Sequence, residues 1–99
     1  MLELAQKFIA RTTDDVACMR EALARLDAIP GGDDGSVLAQ IQQLAHRACG
    51  TGGTLGLCAL SDAAAALERF VEGCPAGAVA DAAVRAEIAA RIDAMAVHL

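Results

Sequence analysis

Residues 44–56 read LAHRACGTGGTLG and place one histidine, His46, in a helical pattern that is rich in glycine. A glycine inside a helix costs about 1 kcal/mol relative to alanine, so helix stability does not explain Gly50, Gly52 and Gly53. Residues three and four positions apart share a helix face. By this rule Gly50 and Gly53 leave bare backbone beside His46, which predicts a histidine that another molecule can approach closely.

The two faces of this predicted helix differ in polarity. One face carries, at helical spacing, Leu38, Ile41, Ala45, Ala48, Gly52 and Leu55. Such an apolar stripe is typical of a helix that packs on a core. The neighbours of His46 on the other face are Gln42, Gln43, Cys49, Gly50 and Gly53. None of them would bury an imidazole, so we expect His46 to point into solvent.

The composition of the whole chain indicates helices. Hydrophobic residues make up 56% of the 99 residues but aromatic residues only 2%, and most of the apolar content is alanine and leucine, which are strong helix formers. No run alternates valine, isoleucine or aromatic residues with polar ones, as a strand would. A chain of this length supports one core. We therefore expect a single all-α domain over residues 1–99.

Two helices are predicted in the first third of the chain. A short amphipathic helix is expected over about residues 2–10. The threonines and aspartates at 12–15 then resemble an N-terminal cap and first turn of a second helix, which ends near Ile29. The segment PGGDDG at 30–35 is the clearest break in the sequence, because proline and glycine end helices.

Three further helices follow this break. Ser36 is the predicted cap of the histidine helix, which is expected to end near residues 53–56 at a glycine C-cap. The remaining helices are expected over about residues 57–72 and 79–97. Four substantial helices with short connections favour an antiparallel up-and-down four-helix bundle. The short extra N-terminal helix would then be a lid or an extension of the next helix.

Charge excludes some classes of function. The formal net charge is −5 and Lys7 is the only lysine, which argues against binding nucleic acid through phosphate contacts. No uncharged apolar run reaches the roughly 18 residues of a membrane span. The N-terminus MLEL lacks the basic start and apolar core of a secretory signal, so we expect a cytoplasmic protein.

The four cysteines do not suggest a disulfide framework or a metal site. They are Cys18, Cys49, Cys58 and Cys74, and free thiols fit a helical protein without a signal sequence better than disulfides do. His46 and Cys49 could reach one metal ion, but a structural zinc needs four ligands. The sequence offers no second ligand pair at comparable spacing, so no metal is expected.

At residues 44–70 the sequence resembles the histidine-containing phosphotransfer (Hpt) domains of multistep two-component phosphorelays. In that family the histidine is followed by two variable residues, often a lysine, then glycine, a pair of small residues and a hydrophobic-glycine pair. The residues that fall on this pattern are His46, Gly50, Thr51, Gly52, Leu55 and Gly56. Cys49 departs from it, since many members carry lysine there, while Arg47 directly follows the histidine as in some members.

The resemblance implies a function for His46. It would accept a phosphoryl group from a receiver-domain aspartate or a hybrid histidine kinase and pass it to another receiver. The receiver would supply the phosphoaspartate and the bound magnesium, so the chain needs no cofactor of its own, and we expect a monomer. An autonomous kinase or phosphatase is not expected, because the chain has no glycine-rich nucleotide loop and no acid cluster for magnesium.

The neighbours of His46 would support this transfer in different ways. Gly50 and Gly53 would let the active-site loops of a receiver come close. Gln42 or Gln43 would donate a hydrogen bond that orients the ring or a phosphoryl oxygen. Arg47 would offer positive charge, although it lies about 100° around the helix from His46.

A second function stays open at this stage. Because Cys49 replaces the usual lysine, the chain would alternatively be an adaptor that keeps the Hpt fold and docks receiver or kinase domains without being phosphorylated.

Overall fold

A computed structural model of the chain describes residues 2–28, 36–75 and 81–99. They form four helices: α1 (Leu2–Ala28), α2 (Ser36–Thr54), α3 (Cys58–Glu72) and α4 (Ala82–Ala96). Helix α1 packs on α2 and α4, and α3 packs on the same two helices. The predicted all-α four-helix bundle is therefore confirmed. The predicted break at 30–35, the helix end near Ile29 and the helix start at Val79 lie outside the described residues.

The core is built from the predicted apolar stripes. All four helices contribute fully or almost fully buried side chains, the largest of which are Met19, Ile41, Leu67, Ile88, Ile92 and Met95. Burial of one such side chain contributes about 1.5–3 kcal/mol. The stripe of α2 that opposes His46 is buried at Leu38, Ile41, Ala45, Ala48 and Gly52. Its burial fixes which face of α2 is left for solvent.

The predicted separate N-terminal helix is wrong, because residues 2–28 form one continuous helix. The threonines at the expected boundary do not cap a new helix. Thr12 Oγ1 donates to the Phe8 carbonyl at 2.8 Å and Thr13 Oγ1 to the Ile9 carbonyl at 2.8 Å. A threonine that bonds back four residues in this way satisfies its hydroxyl within a helix. Thr12 is also buried, so the helix continues through this point with its core stripe intact.

A tight turn joins α2 to α3. The Leu57 amide donates to the Gly52 carbonyl at 2.8 Å, and the Gly56 amide donates to the Gly53 carbonyl at 3.2 Å. With Gly56 at a φ of 80°, this is a Schellman motif, in which a left-handed glycine ends the helix. The predicted glycine C-cap is thus confirmed. The turn folds α3 back beside α2, so residues at equal distances from Leu57 lie at the same level.

The first half of α1 extends past the end of α4. Helix α1 has 27 residues and α4 has 15. Arg20 pairs with Asp93 near the end of α4 at 2.8 Å, so the residues of α1 that precede this pair project further along the bundle. There Phe8 packs on the C-terminal half of α2, where a Cβ added at Gly52 would lie 3.7 Å from its Cζ atom.

Among the described residues, no helix combines the length and the apolarity that crossing a bilayer requires. The long helix α1 is amphipathic, with Lys7 and Arg11 exposed and Phe8 and Thr12 buried.

Candidate functional site

His46 lies on the solvent face of α2, with 76% of its side chain exposed. The flanking apolar residues Ala45 and Ala48 are buried. This confirms the prediction that the helix turns its apolar stripe inward and His46 outward. The imidazole is therefore accessible to a partner without any rearrangement of the bundle.

One ring nitrogen of His46 is held by a carboxylate from α3. The Nδ1 atom lies 2.6 Å from Oε2 of Glu68, whose side chain is only 15% exposed. A carboxylate only accepts hydrogen bonds, so Nδ1 carries the proton in the neutral ring. The lone pair then lies on Nε2, because the partner of one ring nitrogen determines the tautomer. The arrangement presents Nε2 as a nucleophile to solvent.

The two glutamines lie beside this pair, and neither is among the described hydrogen-bond partners of the ring. Gln42 Nε2 donates to Oε1 of Glu72 at 3.2 Å, and Gln43 is exposed. Together with His46 and Glu68 they line a hollow between α2 and α3. Glu68 thus makes the ring contact that the sequence analysis assigned to a glutamine. A hydrogen bond from either glutamine to a phosphoryl oxygen stays a prediction.

The three glycines near His46 have different surroundings. A Cβ added at Gly50 would meet nothing within 4 Å, whereas one at Gly53 would lie 3.4 Å from Ser61 Oγ. Gly52 is buried, and its added Cβ would lie 3.6–3.7 Å from atoms of Ser61, Leu57 and Phe8. Gly52 therefore serves the packing of α2 against its neighbours. Gly50 is the position at which bare backbone faces solvent beside His46.

Arg47 and Cys49 both face neighbouring helices. Arg47 donates to Oδ2 of Asp15 on α1 at 2.8 Å. Cys49 is partly buried against α3, where Ser61 Oγ donates to its carbonyl at 2.8 Å and lies 3.7 Å from its sulfur. In this arrangement the guanidinium is bound on the α1 side. A role for Arg47 in neutralising phosphoryl charge therefore requires it to leave Asp15.

Glu68 is the site residue that the sequence analysis missed, although a signal for it exists. His46 lies eleven residues before Leu57 and Glu68 eleven residues after it. Gln42 and Glu72 are likewise each fifteen residues from Leu57. In an antiparallel helix pair joined by a tight turn, such positions lie side by side. Both pairs are hydrogen-bonded in the structure.

Across residues 2–28, 36–75 and 81–99, no group of three or more His, Cys, Asp or Glu side chains is arranged to hold a metal ion. The four cysteines are free thiols, with Cys18 and Cys58 exposed.

Comparison with known proteins identifies a family to which the chain is similar. The family model described as "Hpt domain" matches residues 3–98 of the chain. No curated protein and no solved structure shows a significant match. The matched range includes all four helices in large part, and with them both His46 and Glu68.

Proposed function

The chain belongs to the Hpt domain family, and from this premise we propose that His46 is the phosphoacceptor of a two-component phosphorelay. Hpt domains are phosphotransfer intermediates rather than enzymes, and they interact with receiver domains and kinases. Under this proposal the domain takes a phosphoryl group from a receiver aspartate or a hybrid histidine kinase. It then passes the group to the aspartate of another receiver.

The observation that carries the proposal is the state of the His46 ring. The side chain is 76% exposed while its Nδ1 atom is bound to Glu68. A phosphoacceptor needs a free lone pair directed at the incoming phosphorus atom, and Nε2 meets this need without losing a hydrogen bond. Glu68 also restricts rotation of the ring, so less orientational freedom is lost when the partner docks.

The proposed transfer is an in-line displacement at phosphorus. The Nε2 lone pair forms the N–P bond while the P–O bond to the receiver aspartate breaks, and the aspartate leaves as a carboxylate. Nε2 then carries the phosphoryl group and Nδ1 a proton, so the ring is positively charged. The Glu68 carboxylate stabilises this charge at Nδ1. The chain needs no cofactor of its own, because the receiver brings the magnesium that neutralises the phosphoryl oxygens. The reverse reaction delivers the group to the next receiver.

The adaptor remains the second candidate function, and the surroundings of Cys49 are the observation that favours it. The position that carries lysine in many family members holds a thiol turned toward Ser61. It supplies no charge to a phosphoryl group on His46. An adaptor would bind receivers through the same surface without accepting the group.

Incubation with a phosphorylated receiver distinguishes these two functions. The purified domain should gain a label that is stable in alkali and labile in acid, as a phosphoramidate bond to histidine is. A folded domain that binds the receiver but gains no label would overturn the phosphotransfer proposal. In that case the adaptor function is correct.

Substitution of Glu68 tests its part in the mechanism. We expect Glu68→Ala to lower the maximal transfer rate about tenfold or more, because a hydrogen bond to a charged group contributes about 1.5–3 kcal/mol and each 1.4 kcal/mol changes a rate tenfold. Glu68→Gln should lose less, since an amide oxygen still accepts from Nδ1. The measurement is the single-turnover rate at saturating phosphorylated receiver.

Glu72→Ala is the matched control for this substitution. Glu72 lies one turn further along α3 and binds Gln42 rather than His46. Because Glu72 makes no described bond to the ring, its removal should leave the maximal rate within about twofold of the wild-type value. Equal losses in Glu68→Ala and Glu72→Ala would show that negative charge near the site matters rather than the bond to Nδ1.

A further inference from the structure

We infer that the groove between the first half of α1 and the second half of α2 binds an acidic helix of the partner receiver, which inserts one apolar side chain. We call this hollow the α1–α2 groove. The inference rests on the proposed phosphotransfer function and adds to it the place and the chemistry of docking. It depends on the shape of the groove, on the charges at its rim and on its position relative to His46.

The α1–α2 groove lies along the part of α1 that extends past the end of α4. Its volume is about 280 Å³, and its apolar walls include Leu4, Phe8 and Leu55. Leu4 is 58% exposed and is one of two large hydrophobic side chains exposed in the described part of the chain. Pockets for drug-sized ligands span roughly 300–1,000 Å³. The groove is smaller than most of these and suits a single large apolar side chain.

The rim of the α1–α2 groove is positively charged, although the protein is acidic. Lys7, Arg11 and Arg47 line it, together with a single acid, Asp15, in a chain of net charge −5. Asp15 is already bound to Arg47. Within the described residues, Lys7 and Arg11 have no ion-pair partner. Two unpaired cations beside an apolar hollow are complementary to carboxylates that flank an apolar side chain.

The groove is within reach of a partner that is docked on His46. Around α2, Arg47 lies about 100° from His46, and Gly50 lies about 40° from His46 on the same side. The bare backbone at Gly50 therefore separates the ring from the groove, and no side chain there obstructs a partner. A receiver that covers His46 and Gly50 reaches the groove with the next part of its surface.

The other side of His46 has the opposite charge. Glu68 and Glu72 line the hollow between α2 and α3. Carboxylates of the partner are repelled there and attracted by Lys7 and Arg11 on the α1 side. Charges arranged in this way guide encounter and fix the orientation of a partner. The acidic helix of the receiver is thus placed over α1, and the active site of the receiver is placed over His46.

Charge reversal at the rim tests this inference. We expect the double variant Lys7→Glu/Arg11→Glu to raise the KM for phosphorylated receiver at least tenfold at low ionic strength, with the maximal transfer rate unchanged. The increase should shrink as salt screens the charges. Leu4→Ala should raise KM by a smaller factor that does not depend on salt. All three side chains are exposed, so thermal unfolding should be little changed.

The control places the same change in charge at the other end of α1. Arg20→Glu/Arg25→Glu alters two exposed cations of the same helix. Among the described residues it breaks only the exposed pair with Asp93, a kind of contact worth about 0–1 kcal/mol. It should leave KM within about twofold of the wild-type value. An equal rise in KM in both double variants would show that net charge acts rather than the groove.

The results separate failure of this inference from failure of the proposed function. Absence of label on the wild-type domain overturns phosphotransfer itself. Normal labelling of the wild type with an unchanged KM in Lys7→Glu/Arg11→Glu overturns only the groove. A wild-type dimer that dissociates in this double variant would show that a second copy of the chain fills the groove, which also overturns receiver binding there.

Discussion

Replacement of His46 by glutamine is expected to abolish phosphoryl acceptance completely while leaving the fold intact. Glutamine has no lone pair on nitrogen that can attack phosphorus, so no rate remains to be measured. The side chain is 76% exposed, and its removal leaves no cavity in the core. Among the described residues, only the hydrogen bond with Glu68 is lost, and the net contribution of such a bond to stability is about 0.5–1.5 kcal/mol. The measurements are label incorporation from a phosphorylated receiver and the midpoint of thermal unfolding.

His98→Gln is the matched control for this substitution. His98 is the other histidine of the chain, and it is exposed beyond the end of α4. This variant should be labelled as the wild type is. Label that persists on His46→Gln but disappears on His98→Gln would show that His98, and not His46, is the phosphoacceptor. A large loss of stability in His46→Gln would contradict the exposed position of the ring.

Replacement of Gly50 by tryptophan is expected to prevent productive docking, with KM for phosphorylated receiver raised more than tenfold. The space above Gly50 is open in the free domain, so the bundle accommodates the indole without repacking. A partner that approaches His46 closely cannot accommodate the indole. Because the indole interferes only in the complex, the free energy of unfolding of the free domain should change little. The expected change is no more than about 1 kcal/mol, the difference in helix propensity between glycine and better helix formers. Transfer kinetics over a range of receiver concentrations measure the effect.

Two controls separate steric obstruction from other effects of the tryptophan. Gly50→Ala should stabilise the domain by about 1 kcal/mol, since its Cβ meets no neighbouring atom, and should bind receiver almost normally. Ala90→Trp adds the same side chain at an exposed position of α4, the helix that packs on α1 and α3. It should leave KM unchanged. Normal transfer by Gly50→Trp would show that the receiver does not pass over this position.

The features that the sequence predicted correctly depend on local patterns. The spacing of Leu38, Ile41 and Ala45 determines which face of α2 is buried, and it places His46 opposite that face. The left-handed conformation of Gly56 depends on the missing side chain at one residue. Such features are determined within one or two turns of helix, so one sequence is sufficient to predict them.

The incorrect prediction of a helix boundary at residues 12–15 arose because the side chains there are compatible with either the start or the interior of a helix. Threonine and aspartate are typical of helix starts, but a threonine hydroxyl also bonds to the carbonyl four residues earlier. Which of the two occurs depends on tertiary packing. Here Phe8 and Val16 are both buried and Thr12 lies between them on the same face. A break at Thr12 would disrupt that face, so the helix continues.

The contact between His46 and Glu68 depends on the register of two helices. Periodicity assigns each residue to a face of its own helix but gives no position along a neighbouring helix. The tight turn at Gly56 and Leu57 fixes the position of α3 along α2, because it leaves no freedom in the number of linking residues. The α1–α2 groove was out of reach of sequence patterns for a related reason. It lies along the part of α1 that extends past the end of α4, and that extension depends on the lengths of the two helices.

The Schellman turn between α2 and α3 also makes the chemistry of His46 sensitive to chain length. An extra residue between Gly56 and Glu68 advances α3 by about 1.5 Å and turns it by about 100°. Either the buried face of α3 leaves the core, or the hydrogen bonds of the turn break. In the first case Glu68 moves away from Nδ1 and no longer selects the tautomer. Insertions or deletions in this segment would therefore change which nitrogen is nucleophilic, although His46 and Glu68 themselves remain in the chain.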